Sequence, residues 1–139
     1  MNREDLKNIL PHRGPMLLLD EAEINGDEAV ASYTVTGDEY FLQGHFPGNP
    51  VVPGVILCEM MGQASCILIK DAASDTITYL TGMDNVRFKN KVLPGDKIVF
   101  KSKLIKARPP YYFLRSEGFV KGKLCVSGEL SIALIQDKS

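Results

Sequence analysis

The chain has 139 residues, 45% of them hydrophobic and 24% charged, with a formal net charge of −1. That length favours one domain, 1–139, and the balance excludes a disordered, fibrous or collagen-like chain. A charge this close to neutral gives no reason to expect nucleic acid as a partner.

The elements follow in chain order. Asn2 is placed to cap a short helix with Glu4 and Asp5 in its first turn and Leu6, Ile9 and Leu10 on its apolar face, closed by Pro11. MLLLD (16–20) and EAVASYTVT (28–36) read as strands, with Asn25-Gly26-Asp27 as the turn between them. GHFPGNPVVPG (44–54) is a punctuated loop, and an apolar helix over 55–69 follows it at once. Period-two patterns at 77–90, 98–107, 111–120 and 124–134 predict four more strands, the first bulged at Gly82, with turns at Pro94-Gly95-Asp96 and Lys121-Gly122-Lys123. The fold class is α+β: an antiparallel sheet packed on one central helix, which accounts for a helix apolar nearly all round.

That helix, at 15 residues and interrupted by Glu59 and Gln63, falls short of the roughly 20 residues a membrane span needs. MNREDLKNIL lacks the cationic start and apolar run of a secretory signal. Cys58, Cys66 and Cys125 contain no C-x-x-C pair, which argues against a metal site and a disulfide framework and fits a reducing cytoplasm.

Glu59, Gln63 and Cys66 share one helix face, amid Val55, Ile56, Leu57, Met60, Met61 and Ile67. A carboxylate there loses hydration, which raises its pKa toward the range a general acid needs; the bland alternative is a structural salt bridge or an exposed edge. His12 reads as structural. His45 differs, because Pro47, Pro50, Pro53 and their neighbouring glycines hold its loop in one geometry. Gly54 opens the helix, where amides without intrahelical acceptors and the helix dipole can polarise a carbonyl. Base, acid and hydrogen-bond donor thus fall within one short stretch.

LPHRGPMLLLD (10–20), GHFPGNPVVPG (44–54), the helix with Glu59 and Gln63, and YLTGMDNVRFKNKVLPGD (79–96) together resemble the bacterial (3R)-hydroxyacyl-[acyl carrier protein] dehydratases of the FabZ type. The resemblance implies a hot-dog fold, a curved antiparallel sheet around a long helix, paired into homodimers and commonly assembled as a trimer of dimers. It implies elimination of water from a 3-hydroxyacyl thioester in type II fatty-acid biosynthesis, with no cofactor and acyl carrier protein as partner. By position, His45 matches the catalytic histidine, Glu59 the catalytic acid and Gly54 the glycine whose amide holds the thioester carbonyl, the acid and histidine meeting across the dimer interface. Glutamate at 59 favours this type over the related dehydratase-isomerase, which usually carries aspartate. Cys58 departs from the family's usual aliphatic residue.

Gln63, Phe46, Val55 and Phe88 are the substrate-binding candidates, and Phe88, Tyr79 and Met83 are candidates to line an acyl tunnel, against the plain alternative of core packing. Residues 87–108 hold eight basic side chains against one acid, while 20–39 hold seven acids and no lysine or arginine. Arg87, Lys89 and Lys91 are therefore candidates to dock an acidic carrier, against the alternative of a solvated strand face. A hot-dog acyl-thioesterase and a catalytically silent acyl-carrier-binding module remain the rival readings.

Overall fold

Alternating side chains from position 76 onward fold into four long strands; two-residue connections after 108 and after 120 reverse the chain into hairpins, whereas 89–96 carries it across to a strand that does not pair with the first. The structure is a computed structural model that describes residues 1–10, 14–43, 50–69 and 76–136. Its strands are β1 (Glu21–Asn25), β2 (Glu28–Thr34), β3 (Thr76–Phe88), β4 (Lys97–Arg108), β5 (Tyr111–Val120) and β6 (Lys123–Gln136). They form one antiparallel sheet in the order β1-β2-β4-β5-β6-β3. Two helices accompany them, α1 (Arg3–Leu6) and the long α2 (Gly54–Cys66), which continues as a tighter turn over Ile67–Ile69. This is the hot-dog arrangement, a sheet curved around one long helix.

The core lies between α2 and the concave face of the sheet. Leu57, Met60, Met61 and Ala64 meet Ala31, Ile98, Phe100, Leu114, Leu130 and Ile132, all buried. Helix cover is incomplete. Val55 is 77% exposed and Glu59 and Gly62 are partly exposed, so positions 55, 59 and 62 form a stripe that the chain's own sheet leaves open. An apolar helix therefore does not mean here a helix enclosed by its own chain.

Strand β3 carries two irregularities. Its register against β6 shifts between Leu80 and Gly82 and again between Asp84 and Arg87, where Asn85 takes φ 53°. Each extra residue reverses which face the following side chains take. Thr78, Leu80, Met83 and Phe88 pair with Leu134, Ile132, Leu130 and Val126 on the helix side, whereas Tyr79, paired with Ala133, stands on the far side.

The expected strand at 16–20 is not one. Residues 14–16 form a tight turn, and Leu17, Leu18 and Leu19 run as irregular chain, all three buried at 1% exposure or less. Their polar backbone is satisfied from outside: Arg3 Nη1 donates to Leu17 O and Leu19 O at 3.1 Å each, and Leu18 N–H donates to Gln63 Oε1 at 2.9 Å. A continuous leucine run reads as a buried strand, but here two side chains replace the neighbouring ladder. The first strand is the more polar EAEIN, at the sheet edge.

Candidate active site

The chain reaches α2 through Val51–Pro53, held by a hydrogen bond from Val52 N–H to Val92 O at 2.9 Å. Pro53 caps the helix in extended conformation (φ −60°, ψ 144°), and its carbonyl accepts from Ile56 and Leu57. Gly54 is the first helical residue, so its amide and that of Val55 lack intrahelical acceptors and point along the positive end of the helix. A Cβ at Gly54 would lie 3.0 Å from two atoms of the Phe88 ring. Glycine therefore lets the ring close over the helix start, and the ring itself stays 55% exposed.

Glu59 lies five residues further along, on the open stripe. Gln63, one turn on and 1% exposed, donates through Nε2 to Glu59 Oε1 at 3.2 Å and to Met16 O at 2.8 Å, while its Oε1 accepts from Leu18. Both amide hydrogens and the carbonyl oxygen of Gln63 are thus committed within the protein. This side chain, a substrate-binding candidate, ties the carboxylate to the 16–18 segment.

Beside this pair opens a cavity of about 110 Å³ lined by Glu59, Gly62, Gln63, Cys66, Thr78, Leu80 and Ile132. Apart from the carboxylate and amide its wall is small or apolar, which suits a hydrocarbon tail more than a second charged group. Burial, opposed by a hydrogen bond with Thr78 and helped by the Glu59 charge, pushes the Cys66 thiol up to about 12. It stays protonated at neutral pH and behaves as wall. The Cys58 thiol is likewise raised by burial.

The structure thus sets two pairs along α2, Gly54 with Phe88 at its start and Glu59 with Gln63 farther on, with Val55 exposed beside the first and only the second lining the cavity. His45, Phe46 and His12 lie outside the described residues, as do 70–75. Arg87 stands on the sheet face away from the helix, its Nη1 on Val86 O at 3.1 Å. Thr78 and Leu80 went unread as wall residues because period two was carried straight through β3 from Tyr79 to Met83. The signal for correcting it was Gly82, already suspect as a bulge. Among the described residues no cluster of histidine, cysteine or carboxylate side chains could hold a metal ion, and no helix is long and apolar enough to cross a membrane.

The wider comparisons agree with this architecture. The chain is 42% identical over 137 residues to the 3-hydroxyacyl-[acyl-carrier-protein] dehydratase FabZ of Lactococcus lactis subsp. cremoris, covering 96% of this chain and 95% of that protein. It is also 42% identical over 137 residues to the protein of the same name from Clostridium perfringens, covering 96% and 99%. Among solved structures, the dehydratase heterocomplex ApeI:P from Xenorhabdus doucetiae superposes with a TM-score of 0.82 at 23% identity, over 96% of this chain and 91% of that one, a likeness of fold. The family model described as the FabA-like domain matches residues 10–129. This chain belongs to that family, in the company of its FabZ dehydratases.

Proposed function

We propose that the chain, as one domain over 1–139, dehydrates a 3-hydroxyacyl thioester carried on acyl carrier protein to the trans-2-enoyl thioester in fatty-acid biosynthesis. The observation that carries this reading is a partly buried carboxylate, Glu59, held by a fully committed amide and opening onto an apolar cavity one helical turn from acceptor-free amides.

In this reading neutral His45 takes the C2 proton. The pair of electrons left behind forms the C2–C3 double bond as the C3–O bond breaks, and Glu59 supplies the proton with which the hydroxyl departs as water. Through the step the amide of Gly54 donates to the thioester oxygen, where negative charge gathers. Gln63 forms part of the wall of the acyl cavity. It is also a positioning residue, whose N–H fixes one oxygen of Glu59, a side chain that lines the cavity. Val55 and Phe88, at the start of α2, are the further substrate-binding residues in this reading.

Two features support a homodimer with shared sites. The stripe of Val55, Glu59 and Gly62 faces away from the chain's own sheet, and β3, beside it, is an open edge on which Leu80 and Phe88 are 47% and 55% exposed though they lie on the helix side. A second copy adding its own β3 there would cover both.

The test is turnover by purified protein of carrier-borne 3-hydroxyacyl substrates, followed by enoyl absorbance and by free-thiol release. Enoyl formation without thiol supports dehydration. Thiol release would establish the thioesterase reading, and carrier binding with neither product the silent module.

A further inference from the structure

Four lysines from two distant parts of the chain are brought to one groove. After β3 the chain carries Lys89 and Lys91, and the β5–β6 hairpin carries Lys121 and Lys123. Together with Asn90 and Cys125 they line a depression of about 570 Å³ that contains no carboxylate. The grouping is held rigidly. Lys89 N–H donates to Cys125 O at 2.7 Å, and Asn90 Nδ2 donates to Leu124 O at 2.6 Å. The hairpin turns in two residues, Lys121 at φ 52° and Gly122 at φ 77°, the tight turn that fits the twist of its strands.

All four lysines are exposed, and none forms a salt bridge with a described residue, although Lys7 and Lys97 do. Asp96 is close enough to act on Cys125 but forms no ion pair with these lysines among the described residues, so four ammonium groups on one rigid frame still repel one another and favour an anionic partner. Location adds to this. Lys89 directly follows Phe88, whose ring lies against Gly54, so the groove begins beside the entrance of the candidate site. Arg87 is not part of it.

Resting on the dehydratase reading, we propose that this groove seats the acidic face of the carrier protein, with Lys121 and Lys123 as docking residues alongside Lys89 and Lys91 and in place of Arg87. The occupant is the protein's carboxylate surface, not the phosphate of its prosthetic arm. Docked there, the carrier holds its arm within reach of Phe88 and the start of α2.

The experiment compares wild type with Lys121→Glu/Lys123→Glu on one 3-hydroxyacyl group presented as the carrier-protein, phosphopantetheine and N-acetylcysteamine thioesters. The expected result is a rise of about tenfold in KM for the carrier-borne substrate at low salt, with a flatter salt dependence, while both small thioesters keep their kcat and KM. An unchanged carrier KM would overturn the proposal. So would an equal rise for the phosphopantetheine thioester, which would assign the groove to phosphate, and so would equal losses on all three. Should the double reversal fail to fold, Lys121→Asn/Lys123→Gln removes the charge more gently, with a several-fold rise expected on the carrier alone. Failure of the dehydratase reading is separate. It would show as no enoyl product from wild type with any thioester, and salt-sensitive binding of the labelled carrier would then still decide the groove.

Discussion

The two edges of the sheet face opposite demands. Strand β1 has only five residues, Glu21, Glu23 and Asn25 stand exposed along it, and Lys97 bridges to Glu21 at 3.3 Å. Short and charged, it ends the sheet. Strand β3 has thirteen residues, two bulges, and Ile77, Tyr79, Leu80 and Phe88 between 38% and 55% exposed. An edge of that length and character asks for another strand, and the candidate site lies beside it. One edge is made to end the sheet, and the other has the length and exposed apolar side chains that the proposed second copy would cover.

The largest effect expected on the β3 side is chemical. His45→Ala and Glu59→Gln should each lower dehydration by about 10²–10⁴-fold with secondary structure intact, read by enoyl absorbance and circular dichroism. Next comes assembly. Leu80→Lys should place a charge in the proposed seam and convert dimer to monomer in sedimentation velocity, whereas Ile24→Lys on β1 should leave the sedimentation coefficient as it is.

Gln63→Leu sharpens the comparison from inside. It removes the acceptor for Leu18 N–H and the donor to Met16 O, leaving buried backbone groups unpaired at a cost of roughly 2–4 kcal/mol by chemical denaturation. It should lower kcat more than KM, because what it loosens is the acid. Gln63→Glu, which keeps shape and an acceptor, should retain more stability than activity.

The smallest effect lies on the β1–β2 side. Glu39 sits in a partly desolvating place, yet N–H groups of Thr36 and Gly37 and the Tyr33 hydroxyl, at 2.8–2.9 Å, hold its carboxyl below the usual range. Its folded pKa is depressed, so it contributes stability above the unfolded value near 4.5, and that contribution fades as pH falls through the folded value. Glu39→Gln should cost no more than about 1 kcal/mol at pH 7, given solvent screening, and progressively less as pH falls below 4.5, read from urea midpoints across the acid range.

Much of the fold was legible because it depends on local pattern. The 111–120 strand is β5 residue for residue, Asn2 does cap α1 through reciprocal hydrogen bonds with Asp5, and Gly26, at φ 64°, does turn the β1–β2 hairpin. Less legible was whatever depends on distant partners. Leu17–Leu19 look like a strand until Arg3 and Gln63 are seen to satisfy their backbone. Tyr79 and Met83 share a parity in the sequence but not a sheet face, since the bulge between them adds one residue. The spacing of Glu59 and Gln63 foretold their shared helix face; that Gln63 would be spent entirely on Met16, Leu18 and Glu59 required the fold. Lys121 and Lys123 read as a turn, and only the packing of that turn beside Lys89 and Lys91 made them a group.

Subunit mixing asks whether the histidine of one copy works with the glutamate of the other. One protomer carries His45→Ala, the other Glu59→Gln, and each alone is inactive. Co-expressed mixed dimers should recover about half the wild-type rate, because one of their two sites then unites an intact histidine with the partner's intact glutamate. If histidine and glutamate act within one chain, every site in the mixture is broken and the rate stays at that of the single variants.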